Sequence, residues 1–405
     1  MLSKREIPRG ADADTRFSII MSGLVEGSNL KSPKDGRFNS DLGETKWTYF
    51  NDKSDGMTEG FLVKKTAEPS LEKSQHVWLY KACLNRDYEW YFYESFGELV
   101  GSELFRYVMG DLAPKNRMTQ IPGEAPGIVS KFLPNFMTFK DELKRIDEEA
   151  KQAFVDNIPS IDGVPESIAA TCFFNDFDGK FANMGSMVNS QGERRAARID
   201  YGCMFSKLHD HTYGIGLYLF NEGEFSERYK HALTYSKLIH SERFQQAIVE
   251  LAQINMEHVS AIIQAAVGRF SKAWQDIPLD AKAIDKLYHH LYGPDKTLWQ
   301  CGYYEAGPPV ELNFERFAVD ISKQMIDSLS ARKEIFAFFA KTLTFKTVLD
   351  EHIEHLESLQ TEQLEQYRDL LQEAEGDVHK QYIISHLIPE IDSLDLTPRF
   401  SAGRK

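Results

Sequence analysis

The stretch between Ser167 and Gly202 constrains this chain more than any other. An apolar segment, Ser167–Phe174, reads as a strand and ends in a polar loop, Asn175-Asp-Phe-Asp-Gly-Lys-Phe-Ala-Asn183-Met-Gly. A second short strand, Ala196–Tyr201, carries Asp200 and stops at Gly202. Asp178 and Asn183 stand five positions apart, and Asp200 follows seventeen residues later. Asp and Asn favour turns for backbone reasons alone; the spacing of all three polar side chains around two apolar segments is therefore what carries information. Such an arrangement needs a sizeable core. With 405 residues, 42% of them hydrophobic and 27% charged, the chain has room for two or three packed units, and disordered or collagen-like classes are excluded. A net charge of −14 argues against a nucleic-acid partner.

The order along the chain is strand-rich, then mixed, then helical. Residues 26–60 are rich in turn formers and hold short strands such as Lys46–Phe50. Gly60–Lys65 reads as a strand, and Val77–Leu84 as a strand or the start of a helix. Helical spacing of Phe96, Leu99, Val100, Leu104 and Val108 marks a helix over Glu94–Met109. Gly127–Leu133 reads as an apolar strand, and Phe139–Asn157 as an amphipathic helix. Helical patterns dominate from about Glu224, the strongest being Ser241–Trp274, Asn313–Lys341 and Leu349–Leu371, and Cys301–Pro309 is the best linker candidate.

Phosphoryl transfer needs the groups this chain offers. One carboxylate orients the attacking hydroxyl, and an amide oxygen with a second carboxylate holds magnesium on the nucleotide phosphates. A lysine neutralises the phosphates that are not transferred, and a helix glutamate steers that lysine. Lys64, ending the strand Gly60-Phe-Leu-Val-Lys-Lys65, and Glu98 are the candidates for the last two roles. Lys64 shares a strand face with Leu62 while Lys65 points the other way; Lys65 and Glu94 remain the alternatives.

Asp178-x4-Asn183 followed by Ile199-Asp-Tyr-Gly202 resembles the catalytic loop and Asp-Phe-Gly motif of the protein-kinase superfamily. It is most similar to atypical branches, the HipA-like and phosphatidylinositol-4-kinase-like proteins, and to kinase-like effectors secreted by Legionella-type intracellular bacteria. Glu98–Arg106 and Gly110–Pro114 look like the helix and following turn of those proteins. The resemblance spans roughly residues 45–205. It implies an α+β, bilobal protein-kinase-like fold with an additional C-terminal helical region: an N-lobe over 1–128, a C-lobe over 129–306 and a helical extension over 307–405. It also implies roles. Asp178 is the catalytic base, Asn183 and Asp200 are magnesium ligands, Lys64 contacts the ATP phosphates and pairs with Glu98, and Val129, Lys131 and Phe132 form the hinge against adenine.

The sequence departs from the pattern in two places. Tyr201 stands where phenylalanine is usual, and no G-x-G-x-x-G precedes Lys64. The phosphate-covering loop is therefore expected from Lys31–Asp41 or from the turn at Asp55–Gly60. Lys180, Arg194, Arg195, Arg198 and Lys207 crowd the same region, and together they suggest a site for a polyanionic activator such as an inositol polyphosphate. The aromatic-rich C-terminal helices suggest a phosphoinositide-membrane contact or a packed bundle.

Other motifs carry less. His352-Ile-Glu-His355 has the wrong spacing for a zinc protease, and Gly214-Ile-Gly216 lacks the third glycine of a dinucleotide loop. The four cysteines, Cys83, Cys172, Cys203 and Cys301, lie far apart, which indicates a reducing compartment with neither a disulfide framework nor structural zinc. No transmembrane segment and no secretory leader are expected; the resemblance implies export from a bacterium into a host cytosol. The expected function is ATP- and Mg2+-dependent transfer of the γ-phosphoryl group to Ser/Thr hydroxyls of protein. A phosphoinositide lipid kinase, a non-catalytic kinase-like scaffold and a nucleotidyl transferase are the alternatives.

Overall fold

Six short strands in the first third of the chain pair with one another. A computed structural model describes residues 7–25, 38–40, 46–52, 60–65, 77–82, 90–120, 126–176, 178–188, 192–205, 208, 237–274, 314–351 and 361–388. The fold is mixed α+β. After helix α1 (Ala13–Val25), strands β1 (Phe38–Ser40), β2 (Lys46–Asp52), β3 (Gly60–Lys65) and β4 (Val77–Ala82) lead to helix α2 (Trp90–Met109). Strands β5 (Asn116–Gln120) and β6 (Pro126–Lys131) follow, and the six close into an antiparallel barrel of order β1-β2-β3-β4-β6-β5.

The register sorts the barrel into two faces. Lys64 lies opposite Val77, Leu62 opposite Leu79 and Gly60 opposite Lys81, and directly paired residues share a face. The alternate residues Val63, Trp78, Tyr80 and Val129 form a small apolar cluster on the other face, with Phe61 packed against it. Arg117 lies 5.2 Å over the Trp78 ring. Leu79 and Lys81 thus belong to the face that also carries Ile128 and Asn116, and α2 packs against β4, β5 and β6.

Beyond the barrel, β7 (Phe136–Thr138), β8 (Met184–Val188) and β9 (Arg194–Arg198) form a second antiparallel sheet. Helices α3 (Phe139–Leu143), α4 (Glu148–Asn157) and α5 (Val164–Phe173) separate its first two strands. The apolar run before the loop is therefore a helix, not the strand expected. Gly163 at φ +91° and Pro165 in the first turn open it, a start that suits proline because the first turn has no N–H bond to lose. Likewise the single helix expected over Phe139–Asn157 is two, with Asp147 at the N-cap position of the second.

The helical remainder comprises α6 (Glu242–Ala252), α7 (Met256–Trp274), α8 (Phe314–Asp350), α9 (Thr361–Ala374) and α10 (Val378–Leu387). The periodicity over Ser241–Trp274 is interrupted at 253–255, where Asn255 Oδ1 accepts from the backbone N–H groups of Glu257 and His258. That capping competes with helix continuation. Helix α8 packs on α5, α6, α7 and α10, and one apolar core runs from Ile7 to Ile388. The buried guanidinium of Arg332 on α8 donates to the backbone carbonyls of Cys172 and Phe173, through Nε to Phe173 at 2.8 Å. It stitches the C-terminal end of α5 to the long helix. The linker expected over Cys301–Pro309 lies outside the described residues.

Candidate active site

The lysine that meets Glu98 is Lys81 on β4. Its ammonium lies 3.3 Å from Glu98 Oε2 and 3.1 Å from Asp200 Oδ1. Lys64, the lysine expected there, lies one strand away on β3 of the same sheet face, buried and opposite Val77. Lys64 and Lys81 share the expected face, but the strand that meets Glu98 is β4 rather than β3. The signal missed is in the sequence: Val77-Trp-Leu-Tyr-Lys81 also ends an apolar run in lysine, and it lies closer to α2 in the chain. Treating Val77–Leu84 as strand or helix start hid it.

Glu98 is held on every side. Its Oε2 also accepts from the Tyr201 backbone N–H at 2.8 Å, and its Oε1 from Asn116 Nδ2 at 2.9 Å. Asn116 further donates to the Glu98 backbone carbonyl at 3.0 Å. Burial pushes the Glu98 carboxyl above its ordinary range against the pull of Lys81. Burial would likewise lower Lys81 and raise Asp200. The mutual attraction of ammonium and carboxylates outweighs it for both, so Lys81 is held above the ordinary lysine value and Asp200 below the carboxylate range. The Lys81–Asp200 pair is therefore charged at neutral pH.

Two glycines let the Asp200 turn reach α2. A Cβ at Gly97 would lie 2.8 Å from Gly202 O and 3.0 Å from Tyr201 O, and one at Gly101 would lie 2.6 Å from Tyr201 Cβ and Met204 Sδ. One turn apart on the same helix face, they form the groove in which Tyr201–Met204 lies. Asp200 itself has φ +63°, Asn175 +56° and Phe205 +61°, a conformation that side-chain-bearing residues adopt at local cost and that clusters at functional sites.

The loop after α5 presents the second half of the site. Asp178 is 8% exposed, and its Oδ2 accepts from Asn183 Nδ2 at 2.7 Å and from Lys180 Nζ at 2.8 Å. Asn183 Nδ2 also donates to the Asp178 carbonyl at 3.1 Å. Its amide nitrogen is thus engaged, and its oxygen remains as a ligand atom. Cys203 ties the halves together in space: its thiol is pushed up first by burial and then by the charges of Asp178, Asp176, Asp200 and Glu94. Asp200 also feels Lys180. The four carboxylates and Lys180 therefore surround one region. Oxygen donors from Asn183 and Asp200, with Asp200 half exposed, suit magnesium, which takes few protein ligands and completes its shell with water and phosphate.

The hinge expectation falls at the end of β6. Val129 is buried in the small cluster, so its side chain belongs to the barrel, whereas Phe132, 41% exposed, is presented at the surface. The Lys131 and Phe132 backbone N–H groups donate to Lys115 O and Val77 O.

Among the described residues the basic cluster does not assemble. Arg194 pairs with Glu142 and stacks 5.1 Å over Phe154. Arg195 bonds Asp162 at 3.1 Å and Asp111 at 3.4 Å. Arg198 is fully buried against Asp176 and is withdrawn from any solvent-borne polyanion. Lys180 is turned to Asp178, and Lys207 lies outside the described residues. Clustering in sequence had suggested a patch; acidic partners from α3, from the turn before α5 and from the loop divide it. No family model matches the chain, and no curated protein matches it in sequence.

Among the described residues no helix is long and apolar enough to cross a membrane. Cys172 and Cys203 are free thiols.

Proposed function

We propose that this chain is an ATP- and magnesium-dependent phosphotransferase of kinase-like, bilobal architecture, acting on Ser/Thr hydroxyls of protein. The observation that carries the reading is the Lys81 bridge between Glu98 and Asp200, 3.3 and 3.1 Å long, with the Asp178–Asn183 loop tied to the residue before Asp200 by the Ile199 N–H bond to the Asn183 carbonyl. A strand lysine, a helix glutamate, a metal-binding aspartate and a base-plus-amide loop are the parts that phosphoryl transfer requires.

Asp178 orients the substrate hydroxyl and receives its proton as the oxygen attacks the γ-phosphorus and the bond to the β–γ bridging oxygen breaks, releasing ADP. Lys81, kept charged by its two carboxylates, neutralises the phosphates that remain on the nucleotide. Lys180 pairs with Asp178 at 2.8 Å and holds its carboxylate in place. Asn183 and Asp200 would hold magnesium, which supplies Lewis-acid neutralisation of the phosphate oxygens. The phosphate-covering loop expected from Lys31–Asp41 or Asp55–Gly60 lies, apart from Phe38–Ser40 and Gly60, outside the described residues. The secretion implied by the resemblance rests on the resemblance alone.

The test is label transfer from γ- and from α-labelled ATP to protein and to phosphoinositide vesicles. The reading expects γ-label on protein, lost in Asp178→Asn and Asp200→Asn. Label from the α-position means nucleotidyl transfer, label on lipid means a lipid kinase, and magnesium–ATP binding without turnover means a scaffold.

A further inference from the structure

The pair Asp176–Arg198 has no part in the chemistry above, yet it sits at the centre of the loops that do. Both side chains are fully buried and meet at 2.6 Å. Asp176 also accepts the Asp178 backbone N–H at 3.0 Å through its other oxygen. The Arg198 guanidinium donates to the backbone carbonyls of Asn183 at 3.2 Å and Ile199 at 2.6 Å. The Arg198 carbonyl accepts the Tyr201 hydroxyl at 2.6 Å, and its guanidinium lies 5.7 Å from the Tyr201 ring. One buried ion pair therefore touches the segment before Asp178, the backbone of Asn183 and the residue before Asp200.

We propose that Asp176 and Arg198 are positioning residues that fix the relative register of Asp178, Asn183 and Asp200, and so set the magnesium affinity of the site. The inference deepens the phosphotransferase reading and rests on it. A hydrophobic pair of similar volume packs a buried site as well as an ion pair does, or better, so stability alone does not explain this choice. What apolar side chains cannot replace is a planar fork that holds two carbonyls and a carboxylate at once. The backbone bond from Ile199 N–H to Asn183 O, 2.8 Å, lies inside this frame and reports on it. The tyrosine at position 201 has a separate reason: its hydroxyl donates to the Arg198 backbone carbonyl at 2.6 Å, an acceptor phenylalanine could not use.

The experiment compares the full-length wild type with the double variant Asp176→Leu/Arg198→Met. The readouts are magnesium titrations of γ-phosphoryl transfer, thermal unfolding and amide hydrogen exchange at Ile199. A folded double variant is expected to need about tenfold or more magnesium for half-maximal rate and to exchange the Ile199 amide faster, with a lowered melting temperature but a cooperative transition. A folded double variant with wild-type magnesium dependence and unchanged Ile199 exchange overturns the inference, even if its rate falls. If the double variant does not fold, Arg198→Lys decides: it keeps the charge beside Asp176 but loses the fork, and an unchanged magnesium requirement overturns the inference. Absence of transfer by the wild type would sink the phosphotransferase reading instead. In that case Ile199 exchange and calorimetric magnesium binding to the double variant still judge the positioning role.

Discussion

Gly97→Ala is a substitution whose sign is set by the site. Within a helix, alanine is favoured over glycine by about 1 kcal/mol. Gly268 on α7 should show that gain, since a Cβ there meets nothing within 4 Å. At Gly97 the added carbon meets Gly202 O at 2.8 Å and Tyr201 O at 3.0 Å. These are backbone atoms of a turn held by the Tyr201 N–H bond to Glu98, so neither can rotate aside. Overpacking of this kind costs about 1–3 kcal/mol, which cancels or exceeds the propensity gain. The expected net effect runs from about neutral to about 2 kcal/mol destabilising. Activity should suffer more, because displacing the turn moves Asp200 away from Lys81, and a misplacement near 1 Å costs about 100-fold in rate. Urea unfolding with kcat for γ-phosphoryl transfer, run on Gly97→Ala beside Gly268→Ala, separates the two effects. If Gly97→Ala is stabilised as much as Gly268→Ala and keeps its rate, the close approach of the Asp200 turn to α2 is wrong.

Other expectations follow from single contacts. Lys81→Met should lower transfer by about 1,000-fold, whereas folded Lys64→Met should stay within about tenfold of wild type in the same assay; the reverse order would return the role to Lys64. Arg332→Leu removes the donor from two buried carbonyls and should cost about 2–4 kcal/mol by denaturant unfolding; a change under about 0.5 kcal/mol would contradict the stitch between α5 and α8. Burial pushes the Cys172 thiol up to about 12. Raising a thiol removes its reactive anion below that pH, so peptide mapping after alkylation at pH 8 should find Cys172 unmodified in the folded protein and modified after unfolding.

Much of the site was legible in the sequence because it is local. Asp178 follows the buried helix α5, Asn183 precedes β8, and Glu98 lies on a helix with clear spacing, whereas the strand expected over Ala196–Tyr201 ends at Arg198 and leaves Asp200 in a turn. What sequence could not resolve was choice among equivalent neighbours. Lys64 and Lys81 both close apolar strands on one sheet face, and only the packing of α2 against β4 decides which one meets Glu98. Arg194, Arg195 and Arg198 look alike in a row, yet one enters the core and the others meet carboxylates from distant segments. The run Ser167–Phe174 is apolar throughout because α5 is buried on every side, and a helix buried all round has no periodicity to distinguish it from a buried strand. Asn116, which fixes Glu98, gave no signal because its partner is met only when the barrel closes.

The account stands most directly on a crystal structure of the wild-type protein soaked with a non-hydrolysable ATP analogue and magnesium. It predicts a metal held by the side chains of Asn183 and Asp200, triphosphate oxygens against Lys81, and the γ-phosphate beside Asp178. Nucleotide bound elsewhere, or a cleft in which Lys81 stays bridged to Asp200 with no metal and no phosphate, would contradict it.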